Sequence, residues 1–466
     1  MEDTTKGIIK NPRSNTKFED LPQHLIHHMM MHFLLYKDAT KLSVLSKAFH
    51  SLWLSCPVLH FDYKFFEQHE DPHDSFKSFI LKTLHLRRPQ GPLRRQSVIY
   101  PKGNSTFNMV FDALLHFAIE NNTKEIVFYM STNHSINVRY DSLLRLISSQ
   151  CLTVLNLEGF IKFPIADLII LCPRLKELEI TRSEGLQTVT VSSLSLEKAC
   201  ICHSLELNEL KEVHLKAKNL RYCSFVDLPH PCEINLSACE SIKDIYVCGV
   251  KVTKNLIELV TGSLNISECD FPENLSIHNP RIKELQMMRN NVKKMELLTP
   301  NLEYFRSYMS FEGQRRALYN ISACVALKVL DLDGVTEKME LKNDKLEKLS
   351  LSACSNLNEA IVDAPNLINF CYEECPIIML PVYPIVKILS TKCISAEIKL
   401  PTRYNLIDTH SCLFEYDKNV KRRKIEETCC SGISTKCWRH YKLKVHIQGF
   451  ESVRSDLEEF FAPYMR

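Results

Sequence analysis

The chain is 466 residues long, too long for one ordinary compact core and long enough for two or three domains or a repeat array. Apolar residues make up 45% and charged residues 24%, the balance of a folded soluble protein. A net charge of +3 supplies no bulk field to draw a polyanion, so nucleic acid is excluded as the expected partner. The opening MEDTTKGIIKNPRSNTK has no apolar core of the kind a signal peptide needs, and the greasiest internal run, Ile165 to Cys172, is too short to span a bilayer. No membrane partner is expected. Nineteen cysteines at irregular spacing then read as reduced thiols, and the expected compartment is cytoplasm, nucleus or both.

Residues 1–17 read as a disordered tail, and the first elements follow over 18–62. Asp20-Leu21-Pro22 is a helix start, because proline's fixed φ is tolerated in the first turn. Leu25, Ile26, Met29, Met30, Phe33 and Leu34 then recur at helical spacing. Asp38 is placed to cap a second helix carrying Ala39, Leu42 and Leu45, and Ser46 a third carrying Phe49, Leu52 and Trp53. Cys56-Pro57 ends the third, and Val58-Leu59-His60-Phe61 reads as an extended exit. Helices this short bury no core of their own, so the segment reads as a docking element; the plainer alternative is a helical hairpin inside a larger domain.

In Leu21-Pro22, His27-His28, Phe33-Leu34, Lys37-Asp38-Ala39, Ser43-Val44-Leu45-Ser46-Lys47, Leu52-Trp53 and Phe61-Asp62, this segment resembles the F-box in its plant form. The resemblance implies a helical module that binds the Skp-type adaptor of a cullin-based ubiquitin ligase. Leu35, Lys41, Ala48 and Phe49 depart from it: the family usually has proline at the first, arginine at the next two and tryptophan at the last. Leu21, Pro22, Leu25, Ile26, Val44, Leu45 and Trp53 are the expected adaptor-binding set, contact and core members together.

Over 63–122 two helices are expected, Asp74 to Leu86 and Thr106 to Glu120, joined by a proline- and arginine-rich loop at 87–95. They read as the helical cap and linker that the end of a repeat array needs. His69-Glu70-Asp71-Pro72-His73-Asp74, before the first helix, reads as a solvated turn.

From 123 to 412 one phrase returns, two leucine-like residues three apart and a third two further on. Leu152/Leu155/Leu157, Leu175/Leu178/Ile180, Ile242/Ile245/Val247 and Leu346/Leu349/Leu351 are examples. Starts at Ile282, Leu302, Leu327, Leu346 and Leu367 lie 19 to 25 residues apart, the period of leucine-rich repeats. Each unit offers a short strand with alternate residues inward, then needs an asparagine or cysteine inside the turn. Cys239, Cys269, Cys354 and Cys375 follow Leu236, Ile266, Leu351 and Tyr372 by three residues and are expected there as buried structural thiols. Between about 185 and 275 the phase slips, and Ser307 stands where an apolar residue belongs.

Thr123–Tyr129, Cys151–Leu157 and Cys172–Ile180 carry a resemblance to the plant F-box/leucine-rich-repeat family. The implied fold class is α/β, an N-terminal three-helix F-box followed by a leucine-rich-repeat solenoid (a horseshoe) with irregular repeats. Residues 413–435 read as a polar linker. Its basic run Lys421-Arg422-Arg423-Lys424 is solvated on the default reading and a nuclear import signal on the other. Residues 436–466 resemble the C-terminal element of plant F-box proteins and read as a closing cap. There Leu443, Val445 and Ile447 alternate as in a strand, and Ser452 to Phe461 form a helix.

Catalytic constellations are not in evidence. Eleven scattered glycines, the closest pair Gly91 and Gly103, build neither a phosphate loop nor a nucleophile elbow. No Cys-x-x-Cys occurs; the nearest approaches to a metal set are Cys371/Cys375 and Cys429-Cys430 with Cys437 and His440. His24, His28 and His32 share a helical face and read as a polar stripe. No metal, no cofactor and no enzyme activity are expected.

The residues between the inward ones face the concave side of such a solenoid, which nominates Asn156, Glu158, Glu177, Glu179, Tyr246, Gln286, Tyr304, Arg306, Asp331, Asp333 and Ser350 for target binding. The functional expectation is the substrate-recognition subunit of an SCF-type E3 ubiquitin ligase. Its partners would be a Skp-type adaptor, a cullin and an unknown target protein. The alternatives are a non-catalytic interaction scaffold without ligase function, or a receptor holding a ligand in the repeat concavity.

Overall fold

The computed structural model describes Pro22, Leu25, His28, Lys41, Ser43 and Val44, then 47–373 apart from short stretches, and the strands at 385–390, 395–399, 414–416 and 444–448. The chain divides into two compact units, residues 1–165 with 171–185, and residues 166–170 with 186–466.

The first unit starts with α1 (Lys47–Ser55), which stops at Cys56-Pro57 because proline disfavours helix in the residue before it. The chain then leaves as β1 (Val58–Asp62), the extended exit expected from the sequence. Next come α2 (Pro72–Leu86), β2 (Arg95–Ile99), α3 (Asn108–Glu120), β3 (Glu125–Met130), α4 (Tyr140–Ile147), β4 (Val154–Gly159) and β5 (Glu177–Thr181). The strands β1 to β5 pair in parallel in chain order, Val58 beside Arg95, Glu125, Val154 and Glu177, at intervals of 37, 30, 29 and 23 residues. The ladder therefore opens at Val58. The segment 63–122, read from sequence as a cap, contributes β2 and the helices α2 and α3 to the first coils.

Asp71 caps α2 by accepting the Asp74 amide at 3.1 Å, with Pro72 in the first turn. So His69 to Asp71 is an exposed turn, Pro72 opens the helix, and His73 is half-buried with its Nδ1 2.8 Å from the Tyr100 hydroxyl. Buried Phe76, Ile80, Phe111, Leu114, Leu143 and Leu146 lay the helices on the inward ladder residues Leu59, Phe61, Val98, Phe128 and Leu155. Aromatic contacts tie the layers, Phe111 meeting Phe128 edge-on at 5.4 Å between centroids and Tyr100 meeting Phe107 tilted at 4.3 Å.

The second unit continues the phrase in strands: β6 (Lys198–Cys202), β7 (Tyr222–Val226), β8 (Ile242–Cys248), β9 (Val260–Ser267), β10 (Glu284–Asn290) and β11 (Tyr304–Met309). After them come β12 (Val329–Asp333), β13 (Lys348–Ser352), β14 (Asn369–Glu373), β15 (Ser395–Lys399) and β16 (Lys444–Gln448). From Lys198 the parallel register runs through Tyr222, Asp244, Ser263, Glu284, Tyr304, Val329, Lys348 and Asn369, at intervals of 24, 22, 19, 21, 20, 25, 19 and 21. The return side is also strand, as in 188–192, 212–216, 274–278, 294–298 and 336–342. One short helix, Lys254–Leu259, interrupts that side. This is a leucine-rich-repeat solenoid.

Two registers recur in the turns. Three residues before the first inward residue of nine phrases stands a small or hydrogen-bonding residue, namely Cys172, Ser193, Ala217, Cys239, Asn279, Thr299, Cys324, Asn343 and Ala364, all buried. Asn279 Nδ2 donates to the carbonyls of Ile257 at 2.7 Å and Val260 at 2.9 Å, and Asn343 Nδ2 to that of Cys324 at 2.9 Å. These side chains satisfy buried backbone that a turn leaves bare. Cys239 belongs here, its thiol on the Leu215 carbonyl at 3.6 Å, and Leu236 is not a ladder residue. Cys269 and Cys354 do follow ladder strands, their thiols 3.2 Å from the carbonyls of Ser267 and Ser352. All three are buried, and burial pushes the Cys269 thiol up to about 11. Cys375 lies outside the described residues.

The second register lies five residues into eight of the ladder strands, counted from Asp244 in β8 and from Ser263 in β9. There Gly159, Arg182, Asp227, Gly249, Glu268, Arg289, Gly334 and Ala353 all take a positive φ. A left-handed residue at that place bends or ends the ladder strand in coil after coil; at Arg289 it is a bulge, since Asn290 still pairs with Met309. An L residue pays roughly 1–2 kcal/mol for it. Gly159 has no alternative, since a Cβ there would sit 1.9 Å from the Met130 carbonyl oxygen.

Candidate functional site

Two surfaces carry the residues singled out from the sequence. The first is the helical segment ahead of the ladder. Helix α1 buries Phe49, Leu52 and Trp53 at 3%, 3% and 5% exposure and turns Lys47, His50 and Ser51 outward. Beside it Ser43 is buried, while Val44 is 83% exposed and Leu25 43% exposed. A shallow groove lies here, lined by Ser43, Val44, Lys47, His50, Ser51 and Leu54. Of the expected adaptor set, Pro22, Leu25 and Val44 face outward and Trp53 is core. Leu21, Ile26 and Leu45 lie outside the described residues, as do His24 and His32; His28 is exposed.

The second surface is the outward side of the ladder strands. Asn156 and Glu179 are register partners in the first unit; Tyr246, Gln286, Arg306, Asp331 and Ser350 share one column in the second. Glu177 and Tyr304 precede that position by two residues in their strands, and Glu158 and Asp333 follow it by two. Asn156 Nδ2 donates to Glu179 Oε2 at 2.6 Å. Burial and the neighbouring Glu179 raise the Glu158 carboxyl above its ordinary range, against the pull of Arg182.

Asp331 and Asp333 are buried, at 8% and 5% exposure, so neither offers a free carboxylate to a target. Asp331 instead accepts from Arg306 Nε at 2.9 Å. The guanidinium lies 5.6 Å from the Tyr304 ring and 5.5 Å from the Tyr308 ring. Two tyrosines and a held arginine make a polar-aromatic group on this face. Behind it, Ser307 occupies an inward position and accepts the Tyr319 hydroxyl at 3.0 Å, with the Tyr319 ring edge-on to Phe305 at 6.0 Å. A tyrosine from the return strand thus fills the room that a leucine at 307 would take.

Tyr222, Asn265 and Tyr308 also face outward and were missed, the first two because the phase seemed lost between 185 and 275. Ala199/Ile201 and Cys223/Phe225 hold the inward places there, both pairs buried. Leu196 and Leu220, each three residues earlier, were the available signal. Among the described residues no group of three metal-ligating side chains converges, and no helix is long and apolar enough to cross a membrane.

Fold and surfaces together define a class: a leucine-rich-repeat solenoid led by a small helical segment with exposed apolar side chains. No family model matches the chain. An F-box/LRR-repeat protein of Arabidopsis thaliana is 26% identical over 233 residues, which is 46% of this chain and 75% of that protein. An FBD-associated F-box protein of the same plant is 23% identical over 391 residues, 67% of this chain and 84% of that protein. The chain is homologous to plant F-box/leucine-rich-repeat proteins.

Proposed function

We propose that this protein is the substrate-recognition subunit of an SCF-type ubiquitin ligase. Its helical segment docks a Skp-type adaptor, and through it a cullin, while the ladder face holds a target protein. The observation that carries the reading is the exposure of Pro22, Leu25 and Val44 together in the helical segment ahead of the ladder, Val44 at 83% and Leu25 at 43%. That segment sits in a chain whose relatives are described as F-box proteins. The chemistry is supplied elsewhere: holding a target at fixed distance and angle from a conjugating enzyme lowers the barrier through proximity alone. The working compartment on this reading is cytoplasm, nucleus or both.

The test is co-purification of the full chain with a Skp-type adaptor and cullin, comparing wild type with Pro22→Ala/Val44→Asp. Capture by wild type and loss in the variant, at an unchanged melting temperature, supports the reading. Wild type that captures neither partner overturns it. Once a target is in hand, Tyr304→Ala should weaken its capture and leave adaptor capture intact.

A further inference from the structure

Helix α1 ends without a basic residue in its own last turn, yet a cation is supplied to that end from elsewhere in the chain. Arg87, one residue past the end of α2, is 3% exposed. Its Nη1 donates to the carbonyl of Trp53 and, at 3.1 Å, to that of Cys56, while its guanidinium carbon sits 4.6 Å from the Trp53 ring centroid. A helix C-terminus presents bare carbonyls and a negative dipole end, and a buried arginine answers both. The same stretch is held a second time, because the Arg94 and Arg95 amides donate to the Pro57 carbonyl at 2.8 and 3.3 Å and β1 then pairs with β2 along its length.

We propose that Arg87 is a positioning residue that fixes the direction in which α1 leaves the first coil, so that the docking segment and the start of the ladder move as one body. The inference rests on the adaptor-docking reading for its consequence: a subunit that acts by distance and angle works only if the joint between docking segment and repeats is stiff. Three features favour this over a plain core role. Arg87 is a long cation spent on main-chain carbonyls, it reaches two of them at the end of α1, 34 and 31 residues away in sequence, and it stacks on the side chain that anchors α1. Lysine would keep the charge but cannot span both carbonyls and lie flat on the indole.

The experiment places spin labels, on unnatural amino acids, at exposed Ser51 in α1 and exposed Met109 in α3 of the full chain, and reads their distance distribution. Wild type is expected to give one narrow distance. Arg87→Gln should broaden it at least twofold and Arg87→Lys less, with the melting temperature held within a few degrees and adaptor affinity within threefold. An unchanged width in Arg87→Gln overturns the proposal. Loss of the melting transition and of adaptor binding together, in both variants, also overturns it and leaves Arg87 a core residue. Should wild type fail to capture the adaptor, the docking reading falls while the distance result still decides whether Arg87 is the clamp.

Discussion

The first unit backs its ladder largely with helices and the second backs its own largely with strands, and the contrast goes with the uneven repeat length. A helix advances about 1.5 Å per residue and a strand about 3.3 Å, so crossing the same width takes roughly twice the residues when the return is helical. Coils returning through α2, α3 and α4 are 37, 30 and 29 residues on the register, whereas coils returning through a strand are 19 to 25; the coil that returns through the short helix Lys254–Leu259 is also 19, so it is a long helix that lengthens a coil. Phe76, Phe107, Phe111 and Phe128 fill the wider coils; the narrow ones are filled mainly by Leu, Ile and Val, with Phe225, Phe305 and Phe370 and an occasional Ala or Cys among them. What stays constant is the ladder and its turns, so the outward face is built the same way in both units.

The largest expected effect separates the two cores. Phe111→Ala empties a wide helical coil beside Phe128 and should cost about 3–5 kcal/mol in urea unfolding. Next comes the left-handed turn. Gly159→Ala combines a positive φ with a clash against the Met130 carbonyl, a loss on the order of 3 kcal/mol. Ala353→Gly at the matching place in the second unit should change stability by less than about 1 kcal/mol, because the backbone there already carries a side chain. Equal effects at the two sites would break the idea of one shared turn.

The narrow coil is tested by filling it. Ala199→Leu restores the repeat's usual residue at a fully buried place and should nevertheless destabilise by about 1–3 kcal/mol through overpacking. Thermal melts would read that loss, and a stabilised variant would mean that the coil has room to spare. Asp71→Ala removes the α2 cap and should cost about 1 kcal/mol, a loss with no counterpart in a strand-backed coil.

The smallest effect is electrostatic. Glu158 binds its proton more tightly folded than unfolded, so its contribution to stability is greatest in acid and declines as pH rises from its ordinary 4.5 through the raised folded value. Glu158→Gln should therefore raise the melting temperature slightly at pH 7 and flatten its dependence on pH. Melts across pH 4 to 8 check the sign.

Much of this is legible in the sequence. Leu155/Leu157, Leu178/Ile180, Leu285/Met287 and Leu349/Leu351 mark ladder strands because alternation with large aliphatic residues is a local signal. Ala199 and Cys223 hid the same strands, since a small residue looks like no signal until the neighbouring coils show how little space it fills. Helix α4 was missed for a related reason: Tyr140 to Ile147 is short, and Leu143 and Leu146 acquire meaning only by lying on the sheet. On the ladder face, the strand phase placed Tyr304 and Arg306 outward. That Asp331 is already held by Arg306, and that Tyr319 fills the room beside Ser307, rests on residues from other strands.

By itself the sequence determined the period, the parity of each clear strand and the resemblance of its first helices to a docking module, because these depend on residues within one coil of each other. Tertiary structure alone decided where the ladder begins, which turn each cysteine serves, and which ladder carboxylates remain open to a partner. Arg87 belongs with these: its worth depends on two carbonyls and an indole more than thirty residues back, brought within reach only when the first coil closes.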